Sequence, residues 1–367
     1  AELKGGGYVL SRGEDILAAF TVPVLGNAPS RFSMLAAKHR GQYVAAQVAG
    51  NIPPFLDKPR HIDMRRPLSA AFHDVFDGAQ GWIEALAHDH VARLVGTGDV
   101  DIVADLGRPF ATQAMARFVG LEHDPQAIAT ATGALFKLFA PIADRAGFAQ
   151  VNAGLEAARG FIAQAVAARR AAPGDDLISR LIAYGAANGS PANEAEIADN
   201  ALLVLADGIE NIEAAIAQVL IVLAGVPDQR AALFSGQLDP GKGVLETHRL
   251  QTPAQLLPRV VREAHERHGV RLAEGTPVFL ALGSANRDPA LHPDPDRFDP
   301  DRDLSQVLVF GRGRHSCIGR GLGEHLVTAA TAALAQREVE LIEDPARITY
   351  VARLGHRWPT ALRARIT

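Results

Sequence analysis

The chain has 367 residues, 48% of them hydrophobic and 21% charged, which is a globular composition with material for a sizeable core. A net charge of −4 and the lack of any long basic tract exclude the electrostatic footprint of a nucleic-acid binder. One cysteine excludes an intramolecular disulfide framework and suits a reducing, cytoplasmic compartment; no apolar run predicts a transmembrane anchor or a signal peptide.

In chain order, GYVLS (7–11) predicts a short strand and RGEDILAAF (12–20) a helix. Residues 62–96 repeat apolar positions at helical spacing and divide into two helices. Further helices are predicted over 109–120, 125–138, 145–171, 175–187 and 193–225. Pro173 and Gly174 break the chain before DDLISRLI, whose two acids suit a first helical turn. The segment 193–225 is long for a globular helix and suggests one that crosses the whole molecule. VLETHRL (244–250) predicts a short helix, and HGVRLAEGTPVFLAL (268–282) a hairpin of strand, Gly-centred turn and strand. ANRDPALHPDPDRFDPDR (285–302), with four prolines, must be irregular. GLGEHLVTAATAALAQREVE (321–340) predicts a last helix. The expected architecture is mainly α with a small β portion, as one domain over residues 1–367.

Two stretches carry chemistry. LADGIENIEAA (205–215) puts Asp207, Gly208, Glu210 and Asn211 into an otherwise apolar helix. Glycine costs a helix roughly 1 kcal/mol against alanine, and a half-buried carboxylate needs a partner or a purpose. The stretch is either the wet face of an amphipathic helix or a polar site inside the protein. FGRGRHSCIGRG (310–321) sets Cys317 between a glycine loop and a helix start, where free N–H groups and the helix dipole favour the thiolate. Such a thiolate attacks a substrate, with His315 as base, or ligates a metal. Zinc would need further ligands at short spacing; haem iron takes a single thiolate, because the porphyrin supplies the rest.

Phe310 to Gly319 resembles the haem-binding signature of the cytochrome P450 family at each defining position, and further motifs follow in order. ETHR supplies a Glu-x-x-Arg pair, Glu246 and Arg249. The resemblance implies that Arg297, in PDPDRF, joins them in a structural charge cluster. HIDMR supplies His61 and Arg65, and PRVVREAHERHGVRL supplies Arg259, with Arg262 competing. Together with His315 these are the expected contacts of the haem propionates. The implied cofactor is haem b, held by Cys317 on its iron and flanked by Phe310 and Gly311. It is expected between the long distal helix and the helix after the cysteine loop. Arg312, Arg314 and Arg320 imply a basic face for an acidic electron donor.

The resemblance aligns residues 206–211 with the distal helix above the iron. There an alcohol usually hydrogen-bonds dioxygen and an acid relays protons. Gly208 and Glu210 fit that pattern. Asn211 stands in place of the hydroxyl, and Asp207 in place of a small residue. Leu202, Leu203, Ala206, Leu256 and Leu257 are the implied pocket-lining positions. Only sixty residues precede His61, which implies that the first helix and strands are reduced or absent and the channel less covered. The implied activity is insertion of one oxygen atom from O2 into a small or medium apolar organic substrate, with electrons from a ferredoxin and its reductase. Asn211 keeps two alternatives open: a non-standard P450 reaction (peroxide-driven oxidation, isomerisation, dehydration or coupling) and a haem-binding sensor or carrier without turnover.

Overall fold

The structure, a computed structural model, describes residues 1–3, 6–30, 32, 41–122, 124–139, 144–187 and 193–367. In chain order its helices are α1 (Gly13–Ala19), α2 (Val44–Asn51), α3 (Arg60–Asp77), α4 (Gln80–Ala92), α5 (Arg108–Val119), α6 (Pro125–Phe139) and α7 (Arg145–Ala171). There follow α8 (Leu177–Ala187), α9 (Glu194–Ala224), α10 (Pro227–Phe234), α11 (Pro240–Leu250), α12 (Leu282–Ala285) and α13 (Arg320–Ala335). The strands are β1 (Tyr8–Leu10), β2 (Leu25–Asn27), β3 (Asp99–Asp101), β4 (Leu256–Val261), β5 (His265–Arg267), β6 (Val270–Leu272), β7 (Pro277–Ala281), β8 (Val339–Leu341) and β9 (Arg363–Ile366). Two compact units contain them: residues 1–28, 82–110 and 211–367, and residues 29–81 and 111–210.

Local chemistry sets the helix ends. Asp144 and Asp239 precede α7 and α11, and each accepts a hydrogen bond from a first-turn N–H, Gly147 at 2.8 Å and Lys242 at 3.0 Å. Asp176 does the same for Ser179 at 2.9 Å, so α8 starts at Leu177 and leaves both acids of PGDD outside. The longest helix, α9, has 31 residues and so spans about 46 Å at 1.5 Å per residue. No single helix among the described residues is long and apolar enough to cross a membrane.

The first unit holds the sheets. Four strands run β1-β7-β4-β2, with β1 parallel to β7 and the other pairs antiparallel. A second sheet runs β3-β9-β8. One face of the first sheet packs with α1 around Ile16, Val261, Val278, Leu280 and Leu308. The segment ahead of His61 therefore contributes β1, α1 and β2; these elements are short and not absent, contrary to the stronger form of the expectation.

Two further expectations need correction. The strands of HGVRLAEGTPVFLAL do not pair with each other: β6 pairs with β5, and β7 with β4 and β1. His268 (φ 50°) and Gly269 (φ 73°) form the two-residue turn between β5 and β6, the left-handed pair that a tight hairpin needs. The last helix also stops at Ala335, because Val339 to Leu341 pairs with β9 as a strand.

The second unit is helical and is tied by a buried polar network. Asp199, at 0% exposure, accepts from Arg159 at 2.7 and 2.8 Å and from Asn51 at 2.8 Å. Arg60 reaches Glu196 at 2.6 Å. In the same unit Met115 of α5 lies against α9 where Gly208 has no side chain: a Cβ on Gly208 would meet the Met115 Cε at 2.5 Å. The absence of a side chain at Gly208 leaves the space that the Met115 thioether fills.

Candidate active site

Cys317 is exposed, takes part in no disulfide, and lies three residues ahead of α13. Its N–H donates to the Phe310 carbonyl at 2.8 Å, closing the loop on itself. That closure needs two left-handed residues, Gly311 (φ 64°) and Gly313 (φ 71°), which explains why glycines are used there. The sulfur is thus presented on a tight loop next to a helix N-terminus, the setting that stabilises a thiolate.

Beside the loop, β4 and β2 set Arg259 directly across from Asn27, so both side chains lie on one face of the sheet. Asn27 Nδ2 lies 3.1 Å from His315 Nδ1 and 3.2 Å from Nε2. Arg259 is buried, and its guanidinium lies over the Phe20 ring at 5.8 Å. The competing Arg262 is exposed and donates to the Asn27 carbonyl at 3.0 Å, supporting this group from behind. The fold therefore brings together Arg259 and His315, with Asn27 and Phe20, which the sequence reading missed. Only knowledge of the strand register would have found Asn27.

Behind the loop, Glu246 and Arg249 are wholly buried and paired through two hydrogen bonds at 2.7 and 2.8 Å. Arg249 also donates to the carbonyls of Asn286, Pro295 and Arg297 at 2.9, 2.6 and 3.2 Å. The third cation differs from the expectation. Arg302, 7% exposed at its side chain, donates to Glu246 at 3.3 Å, while Arg297 turns outward to Asp299 at 2.7 Å. Arg297 thus joins the cluster through its carbonyl alone, since a residue two places from Asp299 finds that half-buried carboxylate first. Asn286 links the cluster to the cysteine loop by accepting from the Leu308 N–H at 2.8 Å.

His248, also missed, lies between these groups. Its ring meets Phe310 edge to face at 6.0 Å and 83°. It is buried with no hydrogen-bond partner for either ring nitrogen among the described residues, and burial pushes its pKa down to about 4, so the ring is neutral. Arg312 donates to the Ser305 carbonyl, and Arg320 pairs with Glu324 at 2.9 Å while covering Phe310 at 5.4 Å. Arg314 is exposed.

In the second unit, His61 and Arg65 stand one turn apart on α3, His61 buried and Arg65 half-buried. On α9, at 100° per residue, Leu203, Asp207 and Asn211 lie within about 40° of one line, with Glu210 about 60° from Asp207. Asp207 is exposed, and Glu210 and Asn211 are half-buried. Although the Asp207 side chain is exposed, desolvation at its carboxyl by the surrounding protein, and then the neighbouring Glu210, push its pKa up to about 7. Leu202 and Ala206 are fully buried and lie about 100° or more around the helix from Asp207. Leu203, at 6% exposure, is buried as well. Leu256 and Leu257 are half-buried on β4, and Leu257 Cδ1 lies 3.9 Å from where a Gly311 Cβ would stand.

Comparison with known proteins places this arrangement. The profile of the family Cytochrome P450 matches residues 242–346. Cytochrome P450 107B1 of Saccharopolyspora erythraea is 31% identical over 290 residues, 78% of this chain and 69% of that protein. This chain belongs to the cytochrome P450 family. The biotin biosynthesis cytochrome P450 of Bacillus subtilis is 27% identical over 285 residues, 77% of this chain and 72% of the relative. Among solved structures, P450BioI in complex with a hexadec-9Z-enoic acid ligated acyl carrier protein superimposes with a TM-score of 0.87 at 23% identity, covering 98% of this chain and 92% of that one. The fold is the mainly α cytochrome P450 fold.

As a P450 the protein is an oxidoreductase that incorporates oxygen from O2, with haem b as cofactor and electrons from a redox partner. The donor set fits that group. One thiol on a tight loop suffices only for a metal that brings its other ligands, and the described residues contain no cluster of His, Cys, Asp and Glu that would hold a bare ion. Buried Arg259, with His315 alongside, suits carboxylates that need cationic partners.

Proposed function

We propose that this P450 is a monooxygenase of one haem-binding domain, acting on a small or medium apolar substrate with a ferredoxin-type electron donor. The observation that carries it is the Cys317 loop, closed by the 2.8 Å bond to Phe310 and opening onto the α13 N-terminus. Cys317 would be the axial ligand. Arg259, His315, His61 and Arg65 would hold the propionates, and Phe310 and Gly311 would flank the ring. Bound haem would supply the activation of O2; the protein would supply orientation, dryness and protons.

On α9, Glu210 would hold and release protons at its carboxylate. Asn211 would keep water in place through its amide, which both donates and accepts. Leu203, Leu256 and Leu257 would give the apolar wall. The apolar substrate class is also supported by relatives: the names of similar proteins include a vitamin D(3) 25-hydroxylase, and one structural neighbour carries myristic acid. A face formed by Arg314 with Arg312 and Arg320 would receive the acidic donor.

The ferrous–CO complex is expected to show the red-shifted Soret band of thiolate ligation, and Cys317→Ser to lose it; a serine variant that keeps the band removes the haem-thiolate assignment. Asn211 favours one second reading, a peroxide-driven or otherwise non-standard reaction, because an amide cannot relay protons as a rotating hydroxyl does. Product formed per NAD(P)H with a surrogate ferredoxin system separates the two. Turnover with peroxide only, gained with ferredoxin in Asn211→Thr, selects the second.

A further inference from the structure

The break between α9 and α10 makes a pocket in the first unit. α9 ends at Ala224, and α10 begins at Pro227 after a turn of 119° across Gly225 and Val226. Proline suits that start, because the first N–H of a helix has no intrahelical acceptor to lose. On α10, Pro227, Arg230, Ala231 and Phe234 fall at i, i+3, i+4 and i+7, so they share one face. Leu233, about 100° further round, is the buried residue that anchors the helix. The shared face is not covered by protein: with Ala224 it lines an open cavity of about 270 Å³.

Arg230 is the half-buried cation of this cavity. Its Nη2 donates to the carbonyl of Val339 in β8, the edge strand of its sheet. Its guanidinium lies over the Phe234 ring at 5.5 Å. Both contacts fix the guanidinium, and neither neutralises it. Among the described residues no carboxylate pairs with Arg230, and its remaining N–H groups meet no acceptor. Asp228 lies about 160° round α10 from it, and Glu340 is engaged by Arg365 at 3.2 Å. A fixed, partly desolvated cation with spare donors attracts an anion, and its planar fork takes a carboxylate through two parallel bonds. One guanidinium balances one negative charge, which favours a carboxylate over a phosphate dianion. Ala224, Pro227, Ala231 and Phe234 add apolar walls. The volume falls just under the roughly 300 Å³ at which drug-sized sites begin, so a single ring or a short chain fits. We propose that this cavity is a second ligand site of the protein, which binds a small amphiphilic carboxylate on Arg230. Ala224 lies roughly 20 Å along α9 from Asn211, so this site is separate from the one proposed for the substrate.

The test is calorimetry on the haem-loaded protein with a matched pair, 3-phenylpropanoate and neutral 3-phenylpropanamide. The wild type is expected to bind the carboxylate about 10-fold or more tightly than the amide, the range of a charge-assisted pair. Arg230→Gln should remove that preference. Ala231→Leu, at an exposed position of the same face, fills the cavity and keeps Arg230. It should weaken carboxylate binding by about 10-fold. Because Arg230 also holds the β8 carbonyl, thermal unfolding of each variant accompanies the titrations; if Arg230→Gln does not fold, Ala231→Leu decides. Equal binding of the two ligands by the wild type, or no carboxylate binding at millimolar concentration, overturns the site. A preference that survives in folded Arg230→Gln, or a carboxylate affinity unchanged in Ala231→Leu, overturns it as well. The carboxylate should also leave the ferric spin state unchanged; a spin-state shift that titrates with the calorimetric dissociation constant places the ligand at the haem and overturns the assignment.

Discussion

Arg302 directs its Nε at the buried carboxylate of Glu246 across 3.3 Å, while Arg297, five residues earlier, pairs with half-buried Asp299. Removing Arg302 leaves part of the Glu246 charge uncompensated and frees the carbonyls of Asp294 and Arg297 that it also holds. Arg302→Ala should cost about 3 kcal/mol, the usual scale for breaking a buried pair. Arg297→Ala keeps the carbonyl and should cost about 0.5 kcal/mol. Chemical denaturation of both variants checks this, and the reverse order would restore Arg297 to the cluster.

Gly208→Ala should destabilise by about 1 to 2 kcal/mol, although helix propensity alone favours alanine by roughly 1 kcal/mol. The cause is the buried Met115 side chain at 2.5 Å from the added methyl. Combined with Met115→Ala, the loss should be clearly smaller than the sum of the single losses. Additive losses in thermal or urea unfolding would place the conflict elsewhere.

His248 gives the stability a defined acid limb. Its folded pKa of about 4 lies below the ordinary 6.5, so the unfolded chain takes up this proton first as pH falls. The contribution is complete above pH 6.5 and is lost through the window down to about 4. Replacing His248 by Leu, which removes an imidazole whose nitrogens have no hydrogen-bond partner, should flatten that fall by on the order of 2 to 3 kcal/mol at pH 4. Some slope should remain, because burial and the charges of Arg249 and Arg302 lower the pKa of His292 as well. An unchanged slope between pH 7 and 4 would show that His248 is protonated in the folded protein.

Arg159→Leu should be among the costliest surface-reaching substitutions in the second unit. It withdraws two of the three hydrogen bonds on the wholly buried Asp199, leaving Asn51 alone. About 3 kcal/mol is expected, with most of it recovered when Asp199 is also made Asn. Equilibrium unfolding of the two variants decides.

Cys317 and its glycines were legible in the sequence because the loop is local: the thiol, the left-handed residues and the helix start lie within eleven residues. The long helices were equally legible from apolar spacing, α7 to the residue. Choices made in three dimensions were not. Arg297 and Arg302 are alike in sequence, and only the course of the proline-rich segment decides which one turns inward. The segment 268–282 carries two alternating runs, yet each pairs outside it, and His268-Gly269 was the overlooked turn signal. REVE continues a helical pattern by composition, but β9, far along the chain, claims it.

The parallel pairing of Tyr8–Leu10 with Val278–Leu280 has a cost during synthesis. The chain that carries β1, α1 and β2 leaves the ribosome long before β4 and β7 exist to receive it. At about 5 to 20 residues per second the wait is roughly 15 to 50 s. Through that interval Ile16, Ala19 and Leu25, all buried in the finished sheet packing, have no native surface to cover them. Nascent-chain chaperones and proteases therefore meet this segment before the sheet does, and expression yield should respond to codon speed between the two ends of that pairing more than to changes in the helices between them.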